Sequence, residues 1–230
     1  MKSYFVTGTD TGVGKTAITA ALATSLRKRG IDVGVMKPIA TGAPQKTGFK
    51  SADVTLLHEA AKVNDSEEAI NPIFLPVPSS PYDATKALGL EIDVKIIHEK
   101  FQHLLKVHQM LLVEGIGGIM TPITKDFFVA DMIKEMKLET IIVTRSTLGT
   151  LNHTLMTFRM CKEYGITVKG MIINYFDEKG SLAERNAPST LYEITGLPIL
   201  GIIPFVKDYQ KLDAMTSIVE KNIDLNLLIS

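Results

Sequence analysis

Short, unbroken apolar runs separated by helix-length amphipathic segments set the pattern of this chain. Tyr4-Phe5-Val6 is the first strand candidate, and Lys15 to Lys28 reads as a helix. Val33-Gly34-Val35-Met36 is a second strand, stopped at Lys37 because Pro38 cannot extend a hydrogen-bonded ladder. Met110 to Val113, Ile141 to Val143, Met171 to Ile173 and Ile199 to Ile203 are further buried-strand candidates. Between them, Val94, Ile97, Phe101, Leu104 and His108 recur at helical spacing, as do Leu155, Phe158 and Cys161 before a stop at Gly165. Continuous apolar strands alternating with helices predict an α/β fold, a mostly parallel sheet covered by helices on both faces. Right-handed crossovers then bring the C-terminal ends of the strands to one edge, where the chemistry is expected. Four prolines between Asn71 and Pro81 predict a long, stiff surface connection that crosses this edge and lines a site. With no repeat, low-complexity tract or long linker, one domain over residues 1–230 is expected.

Composition narrows the function classes. Among 230 residues, 25 Lys and Arg balance 25 Asp and Glu, which argues against a nucleic-acid protein working through overall basicity. Apolar residues at 45% and charged residues at 22% exclude wholesale disorder. The lone Cys161 forms no intrachain disulfide and no CxxC metal site, and no two of the five histidines stand a helical turn apart to hold zinc. The N-terminus shows no long apolar leader, and the apolar runs fall far short of the ~20 residues a membrane span needs. A cytoplasmic, enzyme-sized domain with no nucleic-acid or membrane partner is the expectation.

The strongest chemical signal is Gly8-Thr9-Asp10-Thr11-Gly12-Val13-Gly14-Lys15-Thr16, set between a strand and a helix. Glycines there let backbone N–H groups turn toward phosphate oxygens, and the helix N-terminus adds partial positive charge. Lys15 is placed to bridge β- and γ-phosphates, and the Thr16 hydroxyl to hold Mg²⁺. The strict GxxxxGK[ST] pattern is not met, because Thr9 stands where the first glycine belongs, so the loop is a variant form. Glu114 ends an apolar strand and precedes Gly115-Ile116-Gly117-Gly118; a carboxylate there faces the phosphate loop in this type of sheet. Asp53, in Ser51-Ala52-Asp53, sits near a helix start, and spacing alone favours a cap or dipole partner.

Taken together, these segments resemble the dethiobiotin synthetase family. The resemblance runs from Tyr4 to about Phe205 and rests on separated motifs. These are the Val6 to Thr16 loop, Lys37-Pro38-Ile39-Ala40-Thr41-Gly42, Ser51-Ala52-Asp53, Ser80-Pro81, Val113 to Gly118, Leu148-Gly149-Thr150-Leu151-Asn152-His153, Asn174 and Gly201-Ile202-Ile203-Pro204. It implies ATP-dependent closure of a ureido ring on 7,8-diaminononanoate with CO2 or bicarbonate, through a carbamate and a carbamic-phosphoric anhydride. It implies a P-loop fold, with Gly12, Val13, Gly14, Lys15, Thr16 and Ala17, and also Gly115 and Gly117, around the nucleotide. Against the spacing argument, it makes Asp53 a Mg²⁺ ligand with Thr16 and Glu114. Lys37 and Lys15 become catalytic, Lys37 meeting the carbamate and γ-phosphate, with Thr11 and Thr41 at the same end of the substrate. Asn174 is implied to read adenine and Pro204 with Phe205 to border it. Leu148, Gly149, Thr150 and Asn152 are implied to receive the substrate carboxylate across a homodimer interface. Two residues depart from the family pattern: Tyr82 where many members have His, and Tyr175 where many have a small polar residue.

A ParA- or MinD-like nucleotide-switch ATPase is the rival with the same fold. Such proteins place a second lysine near the loop start, where this chain has Asp10. The septum-type members end in a basic amphipathic helix, whereas the stretch from Val219 carries two acids and one lysine. A second rival, an amidoligase, needs a glutaminase domain for which 230 residues leave no room.

Overall fold

The computed structural model describes residues 2–205 and 211–229. In chain order the first half runs β1 (Tyr4–Gly8), α1 (Lys15–Lys28), β2 (Val33–Met36), β3 (Ile39–Thr41), α2 (Ala52–Ala61), α3 (Glu67–Ile70), β4 (Ile73–Leu75), α4 (Pro81–Leu88) and α5 (Val94–Val107). The second half runs β5 (Met110–Glu114), α6 (Val129–Met136), β6 (Glu139–Arg145), α7 (Thr150–Glu163), β7 (Val168–Phe176), α8 (Leu182–Thr195), β8 (Ile199–Pro204), α9 (Leu212–Asn222) and α10 (Asn226–Ile229). Six strands form one sheet in the order β2-β5-β1-β6-β7-β8, every neighbouring pair parallel. β1 lies where the chain order reverses, which puts the loop after it at the crevice where ligands of open α/β sheets bind.

Alternation along the strands divides the core in two. Tyr4, Val6, Val35, Leu112, Ile141 and Val143 pack on one face with α1, α2 and α9. Phe5, Leu111, Val113, Ile142 and Ile173 pack on the other with α5, α6, α7 and α8. Both faces are covered, which is why the strands read as continuous apolar runs. Helix α1 is buried nearly all round, because α2 and α9 flank it on the sheet; its alanines at 17, 20, 21 and 23 permit that crowding.

The proline-rich stretch differs from its reading as a plain surface connection. Ile73-Phe74-Leu75 forms β4, which pairs in parallel with β3 as a separate two-stranded sheet. Pro72 and Pro76 bracket it, limiting the strand to three residues, too few for any periodicity to declare itself. Asn71 anchors the entry, its side-chain amide donating to the Lys37 and Ile73 carbonyls at 2.7 and 3.1 Å.

At the opposite edge of the sheet from the phosphate loop, the His108 ring bridges Asp32 (3.0 Å from Nδ1) and Asp65 (2.9 Å from Nε2). The ring packs against Gly34 of β2, where an added Cβ would overlap it. The ring cannot retreat without releasing both carboxylates. Gly34→Ala is therefore expected to lower unfolding free energy by about 1–3 kcal/mol, the range for overpacking a tight core. Urea denaturation checks this, and a change under ~0.5 kcal/mol, the range of inert surface substitutions, contradicts it.

Candidate active site

The parallel register builds the site. β2 pairs with β5 so that Met36 faces Val113, and the next residues, Lys37 and Glu114, leave the two strands side by side. On the other flank of β5, Val6 of β1 faces Glu114, so the loop after β1 starts against the same carboxylate. Asp53 arrives from the first turn of α2, and Thr16 from the first turn of α1. Lys37 Nζ lies 2.5 Å from Glu114 Oε1 and 3.0 Å from Asp53 Oδ2, and the Thr16 hydroxyl donates to the same Glu114 oxygen at 2.7 Å. Lys15 curls over its own loop, its ammonium donating to the carbonyls of Asp10 (3.0 Å) and Gly117 (2.7 Å).

Three of these groups are held away from water, while the Asp53 side chain is half-exposed. Glu114 is fully buried and Lys37 and Lys15 are nearly so. Burial works against the Lys37 charge, yet Glu114 and Asp53 together hold its pKa above the ordinary lysine value. Burial alone would lift the Asp53 carboxyl, but the Lys37 ammonium beside it, aided by Thr16 and Lys15, holds it below the usual range. Lys15 goes the other way. Burial draws its pKa down to about 8, with repulsion from Lys37 adding to the effect and Glu114 opposing it. The cluster thus carries two ammonium groups against two carboxylates in a poorly solvated cleft, where each charge acts strongly on its neighbours.

Two carboxylates and a hydroxyl are a hard-oxygen donor set of the kind that suits Mg²⁺, which keeps waters and substrate phosphates for its other positions. Glu114 Oε2 is buried with no hydrogen-bond partner, an oxygen whose second lone-pair face is left to a cation. The residues present therefore fit such an ion.

A cavity of about 760 Å³ opens over this cluster. Of the residues singled out in the sequence, Thr11, Gly12, Gly14, Lys15, Thr16, Ala17, Lys37, Thr41, Asp53, Glu114, Gly115 and Gly117 all line it, with Pro78, Ser79 and Ser80 of the proline-rich stretch at its rim. Val13 is buried beneath the loop. Asn174 is buried as well, and its side-chain amide donates to the Val13 carbonyl at 3.0 Å. Gly14 makes that contact possible: at φ 94° it accepts the left-handed turn into α1, and a Cβ there would lie 2.2 Å from the Asn174 amide nitrogen. Pro204 and Phe205 line a second groove, also of about 760 Å³, and Tyr175 forms a wall of both.

The structure does not bring Leu148, Gly149, Thr150 and Asn152 to the cleft of their own chain; they form the turn into α7. Leu148 is 86% exposed, so its apolar side chain is left standing in solvent. Thr150 differs from its neighbours: its hydroxyl donates to the Arg145 carbonyl and its amide to the Thr147 carbonyl, so both are committed inside the chain. A residue that holds the phosphate loop from the second groove was not singled out in the sequence. Arg145, the last residue of β6, donates from Nε to the Gly12 carbonyl at 3.1 Å and lies 5.2 Å over the Tyr175 ring. Its signal was the same as that of Glu114, a charged residue closing an apolar strand at the ligand edge.

Comparison with known proteins agrees with this geometry. A sequence profile described as an AAA domain matches residues 2–212. The ATP-dependent dethiobiotin synthetase BioD of Nitrosopumilus maritimus is 54% identical over 229 residues, covering both chains completely. That of Thermodesulfovibrio yellowstonii is 44% identical over 236 residues, covering 99% of this chain and 98% of its own. Among solved structures, a ParA family ATPase from Chlorobium tepidum superposes with a TM-score of 0.57 at 17% identity, covering 96% of this chain and 93% of its own. That likeness is one of fold, the P-loop α/β architecture expected from the sequence, and it carries the switch-ATPase reading no further. Full-length identity of this order, with the phosphate loop, Lys37, Asp53 and Glu114 converging on one cleft, leads to one assignment: the chain belongs to the ATP-dependent dethiobiotin synthetase family.

Proposed function

We propose that this chain closes the ureido ring of dethiobiotin from 7,8-diaminononanoate, CO2 and ATP, releasing ADP and phosphate. The observation that carries the reading is a second buried lysine, Lys37, brought from a different strand to the carboxylates beside the phosphate loop. A switch of the ParA or MinD kind places its second lysine near the start of the phosphate loop, where this chain has Asp10, and not at the end of a neighbouring strand. An enzyme that brings a second anion against the γ-phosphate needs additional positive charge on the far side, and we assign that charge to Lys37.

In the proposed sequence, one amine of the diamine adds to CO2 and loses a proton, giving a carbamate. A carbamate oxygen attacks the γ-phosphorus, and the bond to the ADP oxygen breaks. The second amine then attacks the carbamoyl carbon, phosphate departs with the bonding pair, and loss of the amine proton leaves the cyclic urea. Lys15 and the loop amides hold the β- and γ-phosphates, and Lys37 offsets the repulsion between carbamate and triphosphate. Thr11 and Thr41 line the cleft, and we assign them to the substrate end, where they orient the reacting groups. Thr16, Asp53 and Glu114 would hold a Mg²⁺ ion, whose contribution is to neutralise charge on the nucleotide phosphates. No acid–base or nucleophilic triad is required, since phosphoryl transfer asks chiefly for position and charge.

The substrate's distant carboxylate calls for donors that the cleft's own chain does not bring. We assign that role to the α7 N-terminus of a second copy, in a two-fold symmetric homodimer. The exposure of Leu148, and of Met156 one face along α7, supports a covered surface there. With Thr150 committed internally, the Leu151 and Asn152 amides are the first-turn donors left to this task.

The deciding experiment is phosphate release from Mg·ATP and bicarbonate, with and without 7,8-diaminononanoate, over a protein dilution series. Release that requires the diamine and loses specific activity on dilution is the expected result. Release that ignores the diamine overturns the enzyme reading, and full specific activity from a monomer overturns the shared site. Lys37→Gln, in that assay, is expected to lower kcat by about 100-fold or more, the scale for losing one preorganised charge at a transition state. Its affinity for Mg·ADP, measured by calorimetry, should stay within about fivefold of the parent, since its partner would be the carbamate and γ-phosphate. A kcat near that of the parent removes Lys37 from the mechanism.

A further inference from the structure

The phosphate loop owes its shape to two side chains outside it, and one of them is Arg145. In a trans peptide unit the C=O and N–H point in opposite directions. No described residue has a cis peptide bond, so fixing a carbonyl on one side of this loop fixes the following amide on the other. Arg145 takes the Gly12 carbonyl from both Nε, at 3.1 Å, and Nη2. Arg145 lines the second groove and not the phosphate cleft, whereas Gly12 and Gly14, on either side of Val13, line the cleft. With the Gly12 carbonyl drawn to Arg145, the trans peptide directs the Val13 N–H the opposite way, toward the cleft. Asn174 does the same for the next peptide: it takes the Val13 carbonyl from the protein interior, which turns the Gly14 N–H to the cleft. Two consecutive peptides are thereby pinned by their oxygens, and successive inward amides are what make a nest for an anion.

Arg145 is itself held in place. Its guanidinium lies 5.2 Å over the ring of Tyr175, which in turn stands 6.0 Å from the Phe205 ring. Tyr175 adopts φ 56°, a left-handed conformation that bulky residues seldom take and that persists where surroundings dictate it. The strained residue directly follows Asn174, so the end of β7 supplies one clamp and the table on which the other rests.

We infer that Arg145 is a positioning residue for the nucleotide: with Tyr175 beneath it, it keeps the Gly12–Val13 peptide turned so that the Val13 amide meets the phosphates. The inference rests on reading the loop as the ATP phosphate site. Its chemistry is geometric and not merely electrostatic. A planar guanidinium gives two donors to one carbonyl and stacks on a ring; a lysine at the same place keeps the charge and loses both. Loop amides serve ATP and the transition state alike, so losing their orientation weakens binding more than turnover.

The test measures Mg·ADP binding by calorimetry for Arg145→Ala, Arg145→Lys, Tyr175→Ala and the Arg145→Ala/Tyr175→Ala double variant, alongside kcat and both KM values. Arg145→Ala is expected to weaken Mg·ADP binding about tenfold and to raise KM for ATP in step, kcat falling by less than about twofold. Arg145→Lys should recover only part of the loss, at low and high salt alike. Arg145→Ala should cost less in the Tyr175→Ala background than in the parent, since the ring holds the guanidinium in place. Binding by Arg145→Ala within twofold of the parent overturns the proposal. So does full recovery by lysine that disappears in salt, which would reduce Arg145 to a point charge. An equal rise in KM for the diamine also overturns it, as would follow from general loosening of the cleft; matched urea midpoints establish that the variants are folded. Calorimetry with Mg·ADP needs no diamine, so failure of the parent to turn over the diamine strikes the functional reading and leaves this test standing.

Discussion

Glu114 is fully buried, and a carboxylate removed from water must find a cation or surrender its charge. In this fold the cation is Lys37, and the pair fixes much else. It requires β2 to lie beside β5 in the register that sends Met36 past Val113, and it requires the chain to leave β2 at Lys37, where Pro38 ends the ladder. Asn71 then holds the Lys37 carbonyl from the proline-rich stretch, and Asp53 meets the ammonium from α2. Three separate crossings of the sheet edge are tied to one residue. A buried ion pair of this kind adds little net stability, because desolvation offsets attraction. Its value is in holding a charge that the reaction uses.

The cleft divides its labour between two kinds of positive potential. Ammonium groups at Lys15 and Lys37 carry full charges that burial has made expensive to leave unpaired, while the loop offers oriented amides whose direction is set from behind by Arg145 and Asn174. The charges answer to where negative charge collects; the amides answer to the shape of the phosphate chain. Tyr175 joins the two grooves, one floored by the charge cluster and the other walled by Pro204 and Phe205, so that a nucleotide laid across both would pass this residue.

Much of this was legible in the chain itself, and for physical reasons. The six strands of the main sheet announce themselves because both faces are covered, and helix α1 because capping glycine, lysine and apolar run lie in register. Glu114 was readable as an acid closing an apolar strand. Asp53 was not: a carboxylate in the first turn of a helix is ordinarily a dipole partner, and only the whole-chain resemblance directed it to the metal. The strands β3 and β4 escaped because three residues carry no period, β4 set between Pro72 and Pro76 and β3 directly after Pro38. The clamp on Gly12 escaped because it joins residues 133 apart, and nothing local to Arg145 says which carbonyl it will meet. Thr150 shows the reverse. The resemblance implied that it meets the substrate carboxylate, and the fold turns its hydroxyl onto the Arg145 carbonyl.

The central claim is that Lys37 and Glu114 are mutually required, and a double-mutant cycle in urea, without nucleotide or metal, tests it most directly. Lys37→Met leaves two carboxylates facing each other without their cation and should cost about 3–5 kcal/mol, the scale for breaking a buried pair. Adding Glu114→Gln should restore about 2 kcal/mol or more of that loss, making the double variant more stable than Lys37→Met alone. Strictly additive losses would mean the two groups stand near each other without depending on each other, and the account built on their pairing would be contradicted.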